Sequence, residues 1–440
     1  MKNIDIFDGN KLHTLPVPYD FKEQKCTFLG IDENENNISL PLDLDLLSKH
    51  IMFLGGIGTG KTNAFSQMIS QILDNIEGND IMIIFDTKGD FYEAFHEKAA
   101  QKHGYAVISN DDTSTGVDGV DYWNIFNEIP YETEDDKRRM KENILEVSNS
   151  LFSEKMEKTN QPFFPTAAKD IFGAAMRHFI RSRDTLRCDN KTLKAFLDKA
   201  LLKEYHEMLE SHDDMRAFIN YIAKDGVQTQ GVLSEIRQVV ESIFIGNFEK
   251  AGTLSLRNLV REKGGRVVFI EYDIGVGSML SPIYSLLFDM AIKEALGRKK
   301  SERGNVYFIT DEFRLLPNLQ HIDNAVNFGR GLGIKFMIGV QNVDQLYECY
   351  GEHRARSIMS GFLTSVAFRV NDEPSRSFIK ERYGQNRKKE TYASKIGGKA
   401  VENIREAYVV EDWDISNLEI GEAIIGLPGK EPFKFQFKEV

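Results

Sequence analysis

His50-Ile51-Met52-Phe53-Leu54-Gly55-Gly56-Ile57-Gly58-Thr59-Gly60-Lys61-Thr62 decides the fold, because an apolar strand runs directly into G-x-x-x-x-G-K-T. The pattern predicts a phosphate-binding loop. Glycines there let backbone N–H groups converge on phosphates, Lys61 reaches the β and γ phosphates, and the Thr62 hydroxyl holds Mg²⁺. The expected nucleotide cradle is Gly55, Gly56, Ile57, Gly58, Thr59, Gly60, Lys61 and Thr62, with ATP and Mg²⁺ as its ligands. Ala64, Phe65, Met68, Ile69, Ile72, Leu73 and Ile76 follow at helical spacing. The loop therefore joins a strand to an amphipathic helix, as phosphate binding requires.

Further apolar runs ending in polar residues read as strands: Ile81–Phe85, Arg266–Glu271, Val306–Ile309, Phe336–Val340, Ser365–Arg369 and Ala423–Gly426. Most look buried on both faces and are separated by helical stretches. The expected fold is α/β, a P-loop (RecA-like) mostly parallel sheet flanked by helices. Between about Asp184 and Phe248 the alternation stops and helical periodicity takes over, so an inserted all-α domain is expected. The expected domains are an N-terminal segment at 1–48, a nucleotide-binding domain in two parts at 49–183 and 249–440, and the insert at 184–248.

The second half supplies the partner a phosphate loop needs. Val306-Tyr307-Phe308-Ile309-Thr310-Asp311-Glu312 is an apolar strand ending in two carboxylates. Asp311 is placed to hold Mg²⁺ through water, and Glu312 to take a proton from the attacking water. Gln341 ends the next strand and is a candidate γ-phosphate sensor. Arg330, eleven residues earlier, has the chemistry to neutralise transition-state charge on a neighbouring subunit's γ-phosphate, with a surface cation as the plainer reading. The strand Ile83–Phe85 ends in Asp86-Thr87-Lys88-Gly89-Asp90, which puts Asp86 on the rim where ligands gather in doubly wound sheets. A helix cap with a salt bridge is the plainer reading of that stretch.

At 440 residues, with 41% hydrophobic and 28% charged content, the chain is an ordinary globular protein of two or three lobes. Its three cysteines match no disulfide framework or zinc spacing, which suits a cytoplasmic location. No run approaches the ~20 apolar residues of a membrane helix, so direct membrane insertion is not expected. His96, His103, His206 and His212 lack metal-ligand spacing and read as exposed. The net charge of −12 argues against a coat of nucleic acid, though not against a local basic channel. Positive charge gathers in Arg376, Lys380, Arg382, Arg387, Lys388, Lys389, Lys395 and Lys399, against Glu381 and Glu390. Arg387, Lys388 and Lys389 are the candidate DNA contacts, and a solvated loop is the plain alternative.

Taken in order, these motifs resemble the type IV secretion coupling proteins, the TraG/TraD class of conjugative ATPases within the HerA/FtsK group of ring translocases. The match is carried by Gly55–Thr62, Phe85–Asp90, Tyr122-Trp123-Asn124-Ile125-Phe126, Phe163-Phe164, Asp311-Glu312-Phe313, Gly329-Arg330 with Gly333-Ile334 and Gln341, and Leu418 with Gly421–Ile424. The resemblance implies an ATP-driven homohexamer with a central DNA channel, Glu312 as catalytic base, Gln341 as sensor and Arg330 as a finger acting across the subunit interface. Two features depart from the family. Its N-terminal membrane helices are absent here, and its Asp-Pro-Lys-Gly-Glu appears as Asp86-Thr87-Lys88-Gly89-Asp90. The expected function is an ATP-hydrolysing motor that couples or translocates DNA, or a DNA–protein complex, in conjugation-like transfer. A separate membrane subunit and a relaxase or other secretion substrate are its implied partners. Two other readings stand beside it: a soluble HerA/FtsK-like translocase in repair, mobile-element replication or phage defence, and a nucleotide-gated receptor for protein substrates.

Overall fold

Successive side chains of a strand point to opposite faces of the sheet, so strands made almost wholly of apolar residues require a core on each side. The computed structural model, which describes residues 2–111, 121–157, 159–299, 302–393 and 400–439, meets that requirement. Its strands are β1 (Lys2–Asp8), β2 (Gln24–Ile31), β3 (Asn37–Asp43), β4 (Ile51–Leu54), β5 (Ile81–Asp86), β6 (Tyr105–Ile108) and β7 (Val267–Glu271). The second half adds β8 (Val306–Thr310), β9 (Ile334–Val340), β10 (Thr364–Ala367), β11 (Gln385–Ala393), β12 (Ala400–Tyr408), β13 (Glu422–Gly426) and β14 (Phe433–Phe437). β4 sends Met52 and Leu54 to one core and Ile51 and Phe53 to the other, and β5 divides Ile81, Ile83 and Phe85 from Met82 and Ile84 in the same way.

Eleven strands form the main sheet, in the order β3-β2-β14-β13-β10-β4-β9-β8-β5-β7-β6. From β10 to β6 every pairing is parallel, whereas β13, β14, β2 and β3 extend the sheet by antiparallel pairing. Two expectations change here. The Ala423–Gly426 run is a strand, but it lies antiparallel to β10. Residues 1–48 are no separate segment, because β2 and β3 complete the sheet, and β2 buries Cys26 and Phe28 in the core beneath the helix Lys61–Asp74.

That helix and Asp90–Lys102 cover one face. The other face carries a helical block whose first long members are Glu134–Glu157 and Phe163–Arg181, both packed with Val227–Ile243 and Gly277–Leu296 into a single core. Helical packing therefore starts about fifty residues before Asp184, the start expected for the insert. The buried stripe Met140, Ile144, Val147, Leu151 is the signal for that earlier start. No helix of the described residues is long and apolar enough to cross a membrane.

A second, three-stranded sheet, β1-β11-β12, forms from the chain's first residues and its basic segment.

Candidate functional site

Four parallel strands end level at one rim of the sheet. Leu54 lies beside Val340, Thr310 beside Ile338 and Phe85 beside Thr310. The residues that follow or close these strands, Gly55, Gln341, Asp311 and Asp86, are thereby gathered at the same edge. Parallel pairing brings together here what the sequence spreads over more than 280 residues.

The loop after β4 is tied at several points. Gly55 N–H donates to Val340 O and Gly56 N–H to Arg369 O, each at 3.0 Å, and Thr59 Oγ1 donates to Gly56 O at 2.8 Å. Gly58 and Gly60 adopt φ of 71° and 107°, in the left-handed region that favours glycine. A Cβ on Gly60 would also come within 2.9 Å of Gly421 Cα, because Gly421 N–H donates to Thr59 O at 3.0 Å. Thr62 stands in the first turn of the helix Lys61–Asp74, whose N-terminal amides face the loop. Lys61 Nζ donates to the carbonyls of Gly55 and Gly56, the latter at 2.9 Å. Burial lowers its pKa to about 8, while Glu312 and Asp311 act in the opposite sense.

The two carboxylates after β8 differ in their surroundings. Asp311 is half-buried and accepts from Thr87 Oγ1 at 2.9 Å. Burial, with Asp86 and Glu312 adding repulsion, pushes it up to about 6 despite the Thr87 bond. Glu312 is buried, accepts from Gln341 Nε2 on Oε2, and accepts from Arg314 Nε on Oε1 at 3.1 Å. Burial raises its pKa, and Arg314, Gln341 and Lys61 pull it back.

Asp86 shares this rim, near enough to Asp311 to repel its carboxylate. It is buried and accepts from the N–H groups of Gly89 at 3.0 Å and Tyr92 at 2.7 Å, which makes it the brace of the turn into helix Asp90–Lys102. The plainer cap reading of the Asp-Thr-Lys-Gly-Asp stretch is the one its geometry matches.

Arg330 stands at the opposite rim, in the turn before β9. Seven residues of β9 separate that turn from Gln341, so Arg330 lies about 20 Å from its own phosphate loop. Its guanidinium is exposed and paired with Asp45. Exposed Phe328, Leu363 and Leu44 belong to the segments around it. At the near rim Ile57, 83% exposed, and Ile420 form the apolar counterpart.

The basic segment is more fully paired than its sequence suggests. Lys388 is buried on β11 with Nζ 3.1 Å from Glu411, which also takes Arg405 at 3.1 Å. Lys389 is 2.8 Å from Glu402. Arg387 is exposed and lies in register with Asp8 on β1 and Glu406 on β12. Lys388 is thus corrected from phosphate contact to core ion pair, and Lys395 and Lys399 lie outside the described residues. Among the histidines, His96 and His206 are half-buried instead of exposed and bond the carbonyls of Tyr92 and Ile222 at 2.8 and 2.7 Å.

Sequence reasoning overlooked Thr87 and Arg314, the partners of the two carboxylates. A hydroxyl just past the end of a strand was the available signal for Thr87. Nothing marks Arg314, because its partner is fixed only by the turn after β8.

A family model for the type IV secretion-system coupling protein DNA-binding domain matches residues 36–432. The coupling protein TraD of Escherichia coli K12 is 20% identical over 362 residues, which cover 81% of this chain and 46% of TraD. VirD4 of Bartonella henselae, a type IV secretion system-coupling protein, is 23% identical over 417 residues, covering 90% of this chain and 63% of VirD4. The chain thus spans about half to two-thirds of the length of these relatives. Among solved structures, the unbound conjugative coupling protein TrwB superposes with a TM-score of 0.71 at 19% identity, over 91% of this chain and 87% of that one. TrwB in complex with ADP and Mg²⁺ gives 0.70 at 17%, over 91% and 87%. With nine-tenths of its length matched by one family model, this chain belongs to the type IV secretion-system coupling protein family.

Proposed function

We propose that the chain is the ATP-hydrolysing motor of a DNA-coupling ring. The reading is carried by the division of its chemistry between the two rims: Lys61, Thr62, Asp311, Glu312 and Gln341 at one, Arg330 at the other. Lys61 leaves the loop carbonyls to take the β and γ phosphates, and the backbone N–H groups of residues 57–62 close on the phosphate chain. Glu312 accepts a proton from the attacking water while Gln341 orients it. TrwB, which shares this fold, has been solved with ADP and Mg²⁺.

Thr62 and Asp311 are the residues that would hold Mg²⁺. The site suits such an ion. Asp311 is raised to about 6 among neighbouring carboxylates, and a cation would relieve that crowding. Among the described residues no group of three or more His, Cys, Asp or Glu could hold a metal, which fits an ion that takes few protein ligands and completes its shell with phosphate and water. Bound there, Mg²⁺ would neutralise charge on the transferring phosphoryl group.

Arg330 cannot reach its own loop, and a head-to-tail assembly places it against the neighbour's. Such contacts close into a ring when the rotation permits, with Phe328, Leu363 and Leu44 of one copy against Ile57 and Ile420 of the next. DNA occupies the centre of that ring, and Arg387, exposed on the small sheet, is a basic side chain open to a phosphate. A membrane subunit and a relaxase or secreted substrate are the further partners of this reading.

Nucleotide binding and turnover, measured separately, test it. Lys61→Ala should lose ATP binding, whereas Glu312→Gln should retain binding and lose hydrolysis by about 10²- to 10⁴-fold. Near-wild-type turnover by Glu312→Gln would remove Glu312 as base and the reading built on it.

A further inference from the structure

A glutamate acting as base must hold its carboxylate in one plane, and fixing its free rotors costs side-chain entropy. In this chain the carboxylate is gripped from both sides. Gln341 Nε2 donates to Oε2, and Arg314 Nε donates to Oε1 at 3.1 Å. We propose that Arg314 is a positioning residue for ATP hydrolysis, which sets the orientation of Glu312 against Gln341. The inference rests on the ATPase reading above and adds a residue to it.

Exposed ion pairs contribute little to stability, and a surface arginine near a carboxylate is ordinarily unremarkable. Three observations separate Arg314 from that case. Its partner is buried, at 8% exposure, so the bond is made to a carboxylate largely removed from water. Its backbone is anchored as well: Cys349 Sγ donates to Arg314 O at 3.3 Å, Tyr350 Oη donates to Leu316 O, and the rings of Phe313 and Tyr350 stack at 5.7 Å with 7° between planes. Those contacts join the turn Phe313–Leu315 to the helix Val343–Tyr350. That same helix begins directly after Gln341 and is capped by Asn342, whose Oδ1 accepts from Gln345 N–H at 3.0 Å.

Both grips on Glu312 are therefore mounted on one packed unit, and their spacing is set by the core instead of by two independent surface side chains. Only Nε of Arg314 is engaged by Glu312. Arg314 also lines a cleft of about 350 Å³ between this unit and the helices Glu134–Glu157 and Gly277–Leu296. The arginine thus stands where the helical block meets the catalytic rim, and it acts on the reaction through Glu312 without touching the phosphate loop.

Steady-state ATPase kinetics on the full chain with Mg²⁺ test this, using Arg314→Met, Arg314→Lys and Glu312→Gln with and without Arg314→Met. Misplacing a catalytic group by about 1 Å can cost 10²-fold, so kcat should fall roughly 10- to 100-fold in Arg314→Met with KM for ATP unchanged. Lysine can still donate one bond and should recover part of the loss. In the Glu312→Gln background the methionine should cost nothing further. Affinity for a fluorescent ADP analogue, unchanged in every variant, shows that the nucleotide site has folded. A wild-type kcat in Arg314→Met, a raised one, a change confined to KM, or an equal loss on top of Glu312→Gln each overturns the inference alone. A wild-type chain that hydrolyses no ATP takes down the ATPase reading and this inference together.

Discussion

The two rims of the same sheet handle charge in opposite ways. At the near rim Asp311 and Glu312 stand close to Lys61, with burial pushing the acids up and the lysine down. At the far rim Arg330 has Asp45, and along the small sheet Lys388 has Glu411 and Lys389 has Glu402. Crowded charge in a buried setting is costly, and it is what a site looks like before the ligand that neutralises it arrives. Exposed pairs are inexpensive and easily exchanged. Arg330 can leave Asp45 for a phosphate on another copy at little cost, whereas Asp311 gains only when a cation comes to it. The difference suggests an incomplete reaction centre at each end of one subunit, completed by stacking copies head to tail.

The largest expected effect comes from removing the far-rim contribution. Arg330→Ala should lower the assembled protein's ATPase rate by about 10³- to 10⁵-fold, the range for an arginine finger, while leaving nucleotide affinity intact. On the proposed finger role across a subunit interface, wild-type activity should climb more steeply than linearly with protein concentration, and added Arg330→Ala should poison wild-type rings. Linear activity from dilute monomer, with no poisoning, would break the comparison at its main point.

A smaller effect separates the rims by stability. Asp311 rises from an ordinary 3.8 to about 6 on folding. An acid that holds its proton more tightly when folded subtracts nothing from stability at low pH, where both states are protonated. It subtracts progressively as pH climbs through about 4 to 6. Asp311→Asn should therefore stabilise the nucleotide-free protein by about 1 to 3 kcal/mol at pH 7.5, with the gain fading near pH 4. Urea unfolding at the two pH values measures it. An equal gain at both would mean that the cost of ionising a buried carboxyl beside Asp86 and Glu312 is not the cause.

Much of the near rim could be read from sequence because its strands are continuous apolar runs. β4, β5, β8 and β9 need no partner to declare burial on both faces, and glycines mark the loop. The far rim and the small sheet resisted for a physical reason. Asn386-Arg387-Lys388-Lys389-Glu390 reads as a solvated loop, since its burial comes from pairing with β1, more than 370 residues away, and from Glu411. Only cross-strand pairing reveals that Lys388 faces inward while Arg387 faces out. Asp86 was legible in both of its readings: it sits at the rim beside Asp311, and backbone N–H groups two to six residues later donate to it. β14, Phe433-Lys434-Phe435-Gln436-Phe437, alternates buried and half-buried residues and could have been read.

The smallest effect concerns DNA at the small sheet, where ion pairing within the protein decides which cations are left for a phosphate. Alternation along β11 puts Lys388 on the covered face and Arg387 on the open one. In the basic segment Lys388 and Lys389 already have carboxylate partners, so their charge is largely spent within the protein. Arg387 has acidic neighbours across the strands but remains exposed, and a guanidinium can hold a phosphate bidentately while staying near them. One contact per subunit is weak alone and adds up around a ring. Arg387→Gln should therefore flatten the dependence of DNA affinity on salt, by about 0.7 per lost contact on single strands or about 0.9 on duplex, without moving the unfolding midpoint. Lys388→Gln should do the reverse: it leaves buried Glu411 with Arg405 as its remaining cation, lowers the unfolding midpoint, and leaves the salt slope where it was. If Lys388→Gln flattened the slope as much as Arg387→Gln, the ion pairs of the small sheet would have to open on DNA, and the contrast between a crowded rim and a matched one would hold only for the protein without its strand.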